Sequence, residues 1–247
     1  MLSGLDGLLW FALALLGLTF LQRLLHTEIQ ILLFYLTRSQ KWTIVLFSLI
    51  FLPGVLLHEA SHYLMAKLLQ VRTGRFSLWP RPLPNGQLQL GYVEIGRTDA
   101  LRSTWIGLAP LLSGLTFLYV AAHTMNLSPL WAVLREGKWE LFWLGLRLLP
   151  AIPNFSAWFY LSLVISSTMT PSASDRQGWA ASALLIGALG TLLFLSGSGP
   201  WFFQHILQPL NEILRGLSLL LLLSLLFHVT AYIPLRLLHH LVERWMH

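Results

Sequence analysis

The sequence contains no cysteine, which excludes disulfide bonds and thiolate metal ligands. Any metal ion must therefore be bound by His, Asp, Glu or Asn side chains. Charged residues are also scarce. They make up 11% of the 247 residues, whereas a soluble domain carries roughly 25%. Because 55% of the residues are hydrophobic, the composition argues against a soluble protein and indicates an integral membrane protein.

Acidic residues are fewer than basic ones, 10 against 16, and the net charge is +6. An excess of positive charge can indicate nucleic-acid binding, but these basic residues are spread between apolar segments. That distribution is typical of side chains that lie at the surface of a lipid bilayer. We therefore expect the bilayer, and no nucleic acid, as a partner.

Six apolar segments approach the ~20 residues that a helix needs to cross a bilayer. Residues 28–35 are too few to cross, and we expect them to lie at the membrane interface. Residues 139–153 end in two prolines and are interpreted as a short external or re-entrant helix. The six predicted spans are residues 8–21, 42–57 with a continuation to about 69, 104–123, 155–169, 179–195 and 213–233.

An even number of spans places both chain ends on the same side of the membrane. More basic residues lie on that side than on the other, so the positive-inside rule favours cytoplasmic N and C termini. No internal repeat or low-complexity linker divides the chain. We predict an all-α membrane protein with about six transmembrane helices, in which residues 1–247 form a single polytopic membrane domain.

Residues 58–62 read HEASH, an HExxH motif at the end of the second predicted span. Histidines four residues apart share one face of a helix, so His58 and His62 can bind the same metal ion. Glu59 can act as a general base towards water at that ion. Polar and ionisable side chains are costly in a bilayer and are rarely kept there without a function. The position of the motif therefore favours a metal site as much as its letters do.

A polar stretch, residues 71–98, follows the motif helix and is not expected to span the membrane. Two runs of alternating residues, 76–79 and 87–92, flank Pro84-Asn85-Gly86. Asn-Gly between such runs is typical of a hairpin turn. We predict a small membrane-associated β-hairpin inserted after the HExxH helix.

A catalytic zinc site needs a third protein ligand besides two histidines. Asp175 is the first candidate, because the fourth span returns there to the side of the membrane on which the motif lies. Irregular backbone at that depth is tolerated where it lines a cavity. An alternative role for Asp175 is to cap the following helix. Asn154, which follows the prolines at 150 and 153, is the second candidate, and its neutral amide is the weaker ligand.

His228 lies inside the sixth predicted span, where an imidazole needs a partner. Packing with a hydrogen bond to a neighbouring helix is the simpler explanation. A position that lines a cavity, or one that supports a metal ligand, is the alternative.

The motif and three further stretches resemble the site-2 protease family of intramembrane metalloproteases. HExxH at the end of a hydrophobic helix is the specific part of this resemblance. The polar hairpin is similar to the membrane-associated strands of the family. Residues 107–111 are similar to its small-residue GPxxN segment, and residues 149–153 to the lead-in of its LDG motif. The resemblance covers about residues 42–180, the metalloprotease-like core.

One position departs from the family pattern. The family's third zinc ligand is the Asp of LDG, but the corresponding residues 154–156 read Asn-Phe-Ser here. The resemblance therefore implies a Zn²⁺ cofactor held by His58, His62 and either Asp175 or Asn154. A degenerate site is the other reading of this departure.

The resemblance implies a zinc metalloendopeptidase that hydrolyses peptide bonds in transmembrane segments of membrane-protein substrates. Glu59 would be its catalytic base. The missing LDG leaves an alternative from a different class, a catalytically inactive membrane scaffold that binds membrane clients. The sequence does not indicate an oligomeric state.

Overall fold

The computed structural model describes residues 6–82 and 88–246. Helices form most of this part of the chain, and short strands lie between the second and third helices. The helices are α1 (Asp6–Thr37), α2 (Gln40–Leu68), α3 (Ala100–Thr124), α4 (Ser128–Arg135), α5 (Trp139–Leu148), α6 (Phe155–Thr168), α7 (Trp179–Leu193), α8 (Gly199–Phe202) and α9 (Gln208–Met246). The strands are β1 (Thr73–Ser77), β2 (Arg81–Pro82), β3 (Leu88–Gln89) and β4 (Tyr92–Ile95).

Several helices have the length and apolarity that a membrane span requires. Among the described residues four helical stretches qualify, or five if a bent pair of helices counts as one span. Large apolar side chains such as Leu16, Leu64 and Leu184 are exposed along them. The helical fold class is confirmed, and these helices are compatible with a membrane protein. The four stretches are Asp6–Thr37, Gln40–Leu68, Ala100–Thr124 and Trp179–Trp245.

The number of candidate spans is smaller than the six that the sequence predicts. The fifth and sixth predicted spans lie within one helical stretch, Trp179–Trp245, which is kinked at Gly197 with a φ of 79°. α6 has 14 residues, about 21 Å at 1.5 Å per residue, and qualifies only together with the helix before it. That pair, Trp139–Ala151 and Phe155–Thr168, is bent by 102°, as the Pro-rich break between them predicts.

α1 is one continuous helix of 32 residues, so residues 28–35 extend the helix of the first predicted span, and their predicted place at the membrane interface stays a prediction. Glu28 separates this segment from the first apolar run in the sequence. In the structure Glu28 is buried, and its carboxylate oxygens lie 2.6 Å from Arg236 Nη1 and 2.5 Å from His239 Nδ1. Because the carboxylate is paired, the helix can continue past it through apolar surroundings.

α1 and α9 pack side by side and run in the same direction. The Gly7 backbone N–H donates to Asn211 Oδ1 at 2.7 Å near the start of both helices, and Glu28 contacts Arg236 further along both. The start of α1 and the end of α9 therefore lie at opposite ends of the pair. Six spans with both chain ends on one side require an antiparallel first and last helix, which differs from this arrangement. Two parallel spans would place the chain ends on opposite sides of a membrane, so the structure argues against the prediction that both ends are cytoplasmic, and the side on which each end lies stays a prediction.

The strands form the hairpin that the sequence predicts within residues 71–98. β1 pairs antiparallel with β4, with Thr73 opposite Ile95, and β2 pairs antiparallel with β3, with Arg81 opposite Gln89. The predicted turn at Pro84-Asn85-Gly86 lies outside the described residues.

α2, α3 and α6 pack around the HExxH motif at two glycines. Gly54 of α2 lies against the backbone of Val164 and the hydroxyl of Thr168, both in α6. Gly107 of α3 lies against the backbone carbonyl of Asp175. A Cβ atom at either glycine would collide with that backbone, so these two positions allow the close approach that assembles the site.

Candidate metal centre

His58 and His62 lie on one face of α2, four residues apart, as the motif predicts. Their Nε2 atoms are 3.1 Å apart. His62 is buried at 5% exposure, and 15% of the His58 side chain is exposed. The two imidazoles therefore meet at one point in the interior of the helix bundle.

Backbone carbonyls from two other helices orient these imidazoles. His58 Nδ1 lies 2.6 Å from the carbonyl oxygen of Thr168 in α6, and His62 Nδ1 lies 2.8 Å from that of Ile106 in α3. A carbonyl can only accept, so each Nδ1 carries the hydrogen. The Nε2 atom of each neutral ring is then left with a lone pair, and this is the tautomer that binds a metal through Nε2.

Asp175 is the third member of the cluster. Its Oδ1 is 3.2 Å from His62 Nε2, and its Oδ2 is 3.8 Å from His58 Nε2. The helix-cap alternative is not what the structure has, because α7 begins after Gly178 and no described side chain caps it. The first candidate for the third ligand therefore lies where a ligand is needed.

Asn154 does not lie near the histidines. It precedes the first turn of α6 with a φ of 59°, whereas Thr168 at the other end of α6 contacts His58. The 14 residues of α6 separate these ends by about 21 Å. The structure therefore contradicts the alternative in which Asn154 is the third ligand.

The donor set fits a tetrahedral metal ion. Bonds of ~2.1 Å in tetrahedral geometry place neighbouring donor atoms ~3.4 Å apart, and the three separations here are 3.1, 3.2 and 3.8 Å. Three lone pairs that face one another at these distances repel unless a proton or a cation lies between them. A divalent ion satisfies all three at once, so His58, His62 and Asp175 could hold one.

Asp175 lies in the loop between α6 and α7, outside the candidate spans. In the metal-free protein burial disfavours its charged form, but the His62 imidazole, when its Nε2 carries a proton, and hydrogen bonds with Ser172 lower the pKa of Asp175 to about 2. The Ser172 backbone N–H donates to Asp175 Oδ2 at 2.7 Å. The carboxylate is therefore an anion at neutral pH, which is the form that binds metal ions.

Glu59 lies next to His58 on α2 and is buried at 8% exposure. Within residues 6–82 and 88–246 its carboxylate has no hydrogen-bond partner. The hairpin covers it, because a Cβ atom at Gly91 would lie 3.0 Å from Glu59 Cγ and 2.9 Å from Val55 Cγ1. A buried carboxylate beside a candidate metal centre can accept a proton from water that enters the site.

Sequence reasoning missed the two carbonyls and Gly107 as parts of the site. A backbone carbonyl has no signature in the sequence, so the roles of Ile106 and Thr168 become visible only when the helices are packed. Gly107 lies in the segment that resembles GPxxN, and its contact with the Asp175 backbone gives that segment a physical role.

Comparison with protein-family models, with curated proteins and with solved structures gives no match to this chain.

Proposed function

We propose that this protein is a zinc-dependent endopeptidase that hydrolyses peptide bonds in transmembrane segments of other proteins. One observation carries the proposal: two imidazoles of a helix that is apolar enough to cross a membrane converge with the Asp175 carboxylate of a neighbouring loop, with lone pairs facing one another. A general base, Glu59, lies beside them.

Zinc is the metal that suits this donor set best. The ligands are two nitrogens and one carboxylate oxygen, their spacing is tetrahedral, and three protein ligands leave the fourth position open. When bound, zinc supplies the Lewis acidity that activates water and polarises a peptide carbonyl.

Glu59 performs the proton transfers in the proposed reaction. Its carboxylate takes a proton from the attacking water, whose oxygen forms a bond to the carbonyl carbon of the substrate. The C–N bond then breaks, and Glu59 passes the proton to the leaving nitrogen. The products are a carboxylic acid and an amine, which exchange a proton to become a carboxylate and an ammonium group, and Glu59 returns to its starting form.

The substrate class follows from where the site lies. α2 is a candidate span, so a segment that reaches His58 and Glu59 would come from the bilayer. A transmembrane helix hides its carbonyls in internal hydrogen bonds and must unwind before water can attack. The hairpin lies against Glu59 through Gly91, and its strands could hold an unwound segment by edge pairing.

Metal content tests the site. We expect purified wild-type protein to contain about one zinc per chain, and His58→Ala and Asp175→Ala to lose it, because each removes one of three ligands. Asn154→Ala is the matched control and should retain zinc. Zinc loss in Asn154→Ala together with retention in Asp175→Ala would overturn the ligand assignment.

Cleavage tests the reaction. Glu59→Gln should retain zinc but lose hydrolysis of a panel of single-span peptides in liposomes by roughly 10²–10⁴-fold, the usual contribution of a general base. The inactive membrane scaffold is the alternative function. It requires that wild-type protein bind the peptides without cleaving them, and that Glu59→Gln leave this binding unchanged.

A further inference from the structure

Two buried polar contacts hold the C-terminal end of α6. Gln22 of α1 donates from Nε2 to Thr170 Oγ1 at 2.8 Å, and His228 of α9 bonds through Nε2 to Ser167 Oγ at 2.8 Å. Gln22 is 9% exposed, Ser167 3% and His228 fully buried. Side chains of α1 and α9 therefore form hydrogen bonds to residues 167 and 170, on either side of the end of α6.

The direction of the His228 contact can be assigned. His228 Nδ1 lies 2.8 Å from the carbonyl oxygen of Ser224, and a carbonyl only accepts, so Nδ1 carries the hydrogen. In the neutral ring Nε2 is then an acceptor, and the Ser167 hydroxyl donates to it. The imidazole thus connects the backbone of α9 to the last turn of α6.

Residues 167–170 influence two parts of the metal centre, the imidazole of His58 and the carboxylate of Asp175. Thr168, between the two contacts, supplies the carbonyl that accepts from His58 Nδ1 at 2.6 Å. Beyond Thr170 the chain enters the loop that places Asp175 beside His62. A shift of this segment would move the anchor of one ligand and the backbone of another together.

The buried side chains of Gln22 and His228 reduce the stability of the fold unless they are compensated by hydrogen bonds. An imidazole and an amide buried among apolar helices lose their hydration, and apolar residues of similar size would pack at lower cost. Gln22 Oε1 has no partner within the described part of the chain, so its amide is not fully compensated. The hydrogen bonds of His228 with Ser167 and of Gln22 with Thr170 offset part of this desolvation cost.

We infer that Gln22 and His228 are positioning residues of the metal centre: through Thr170 and Ser167 they fix the end of α6 that anchors His58 and leads to Asp175. This inference rests on the metal site proposed above.

Two adjacent serines of α6 provide a matched test. Ser167 bonds to His228. Ser166 is also buried, but its partners among the described residues are carbonyls of its own helix, those of Ser162 and Leu163. Co²⁺ titrated into metal-free protein in detergent gives the dissociation constant, and its visible absorption reports the coordination geometry. Ser167→Ala should weaken Co²⁺ binding about tenfold and alter the spectrum, since groups that orient ligands usually contribute 10–100-fold. Ser166→Ala should change neither.

Further variants separate positioning from folding. Ser167→Thr keeps the hydroxyl and should restore Co²⁺ affinity, and Gln22→Leu should weaken it as Ser167→Ala does. A Ser167→Ala/His228→Leu double variant should lose no more affinity than Ser167→Ala alone, because both remove the same contact. Thermal unfolding of each metal-free variant shows whether it is folded.

Equal Co²⁺ affinity and equal spectra for folded Ser167→Ala and Ser166→Ala would overturn the inference while leaving the metal site intact. No Co²⁺ binding by wild-type protein would instead overturn the metal centre, and the inference with it.

Discussion

Each proposed ligand nitrogen depends on a carbonyl that no side-chain substitution removes. The Thr168 and Ile106 carbonyls accept from the Nδ1 atoms of His58 and His62, so ring orientation follows from where α6 and α3 lie. Such supporting bonds fix the tautomer and raise the basicity of the coordinating nitrogen. Because these carbonyls belong to other helices, the geometry of the proposed ligands is sensitive to how the helices pack.

Gly91 is the residue through which the hairpin meets Glu59. In Gly91→Ala the new methyl group would contact Glu59 Cγ and Val55 Cγ1 and push the carboxylate from its position. We expect zinc content to be unchanged and cleavage to fall by roughly 10–100-fold, since displacements of about 1 Å at a reacting group have effects of this size. The check is zinc analysis beside peptide cleavage in liposomes.

Gly190→Ala is the control for this variant, because no atom of residues 6–82 or 88–246 lies within 4 Å of a Cβ atom there. Unchanged cleavage by Gly91→Ala would show that the hairpin does not constrain the base.

The low pKa of Asp175 makes a prediction for metal-free protein. Its value of about 2 lies below the ordinary 3.8. A carboxyl with a depressed pKa stabilises the folded state above its ordinary value, and this stabilisation is lost as the pH falls towards 2. The difference corresponds to about 2 kcal/mol. Wild-type protein should therefore lose stability between about pH 4 and pH 2, and Asp175→Asn should lose less, as measured by thermal unfolding in detergent.

Helix approach decides whether the ligands converge at all. Gly107 lies against the Asp175 carbonyl, so Gly107→Ala should displace the loop and separate Asp175 from the histidines. We expect zinc affinity to fall by roughly 10–100-fold, as for other changes that disturb ligand orientation. Competition with a chelator measures it.

Gly216→Ala, where a Cβ atom has no neighbour within 4 Å in the described part of the chain, should leave zinc affinity at the wild-type value. Wild-type affinity in folded Gly107→Ala would mean that the loop tolerates the displacement.

At the scale of elements, local sequence signals predicted more than distant contacts could. The i, i+4 spacing identified His58 and His62, and alternating residues around Asn-Gly identified the hairpin. The length of α1 was missed because Glu28 is compensated by Arg236 and His239, which lie some two hundred positions away. Asn154 was retained as a ligand candidate because its separation from Thr168 depends on α6 being one straight helix.

Two ion pairs connect the parallel helices α1 and α9, one at the start of α1 and one about two thirds of the way along it. Glu28 is buried with His239 and bonded to Arg236, whereas Asp6 and Arg215 are more exposed. Glu28→Gln should lower the thermal unfolding midpoint clearly, since it removes the negative charge of a buried carboxylate that contacts both Arg236 and His239. Asp6→Asn should have a small effect, as exposed pairs usually do. Equal effects of the two substitutions would contradict this ranking.

The absence of cysteine makes the direction of these helices directly testable. Gln40→Cys and Trp245→Cys would each introduce a unique thiol near the end of α1 and α9, and Glu212→Cys one near the start of α9. A membrane-impermeant thiol reagent should label the first two from one side of sealed vesicles and the third from the other. Labelling of Glu212→Cys from the same side as Trp245→Cys would contradict two parallel spans.

The contacts of α9 also set an order of events during synthesis. Gln22 is synthesised early, but His228 and Arg236 are synthesised only after the HExxH helix and the Asp175 loop. Until then Ser167 has no imidazole to bond, and Glu28 has no cation beside it. A nascent chain therefore contains its proposed metal ligands before it contains the side chains that we propose to position them, and the rigid centre that the proposed hydrolysis requires can form only once α9 has been added.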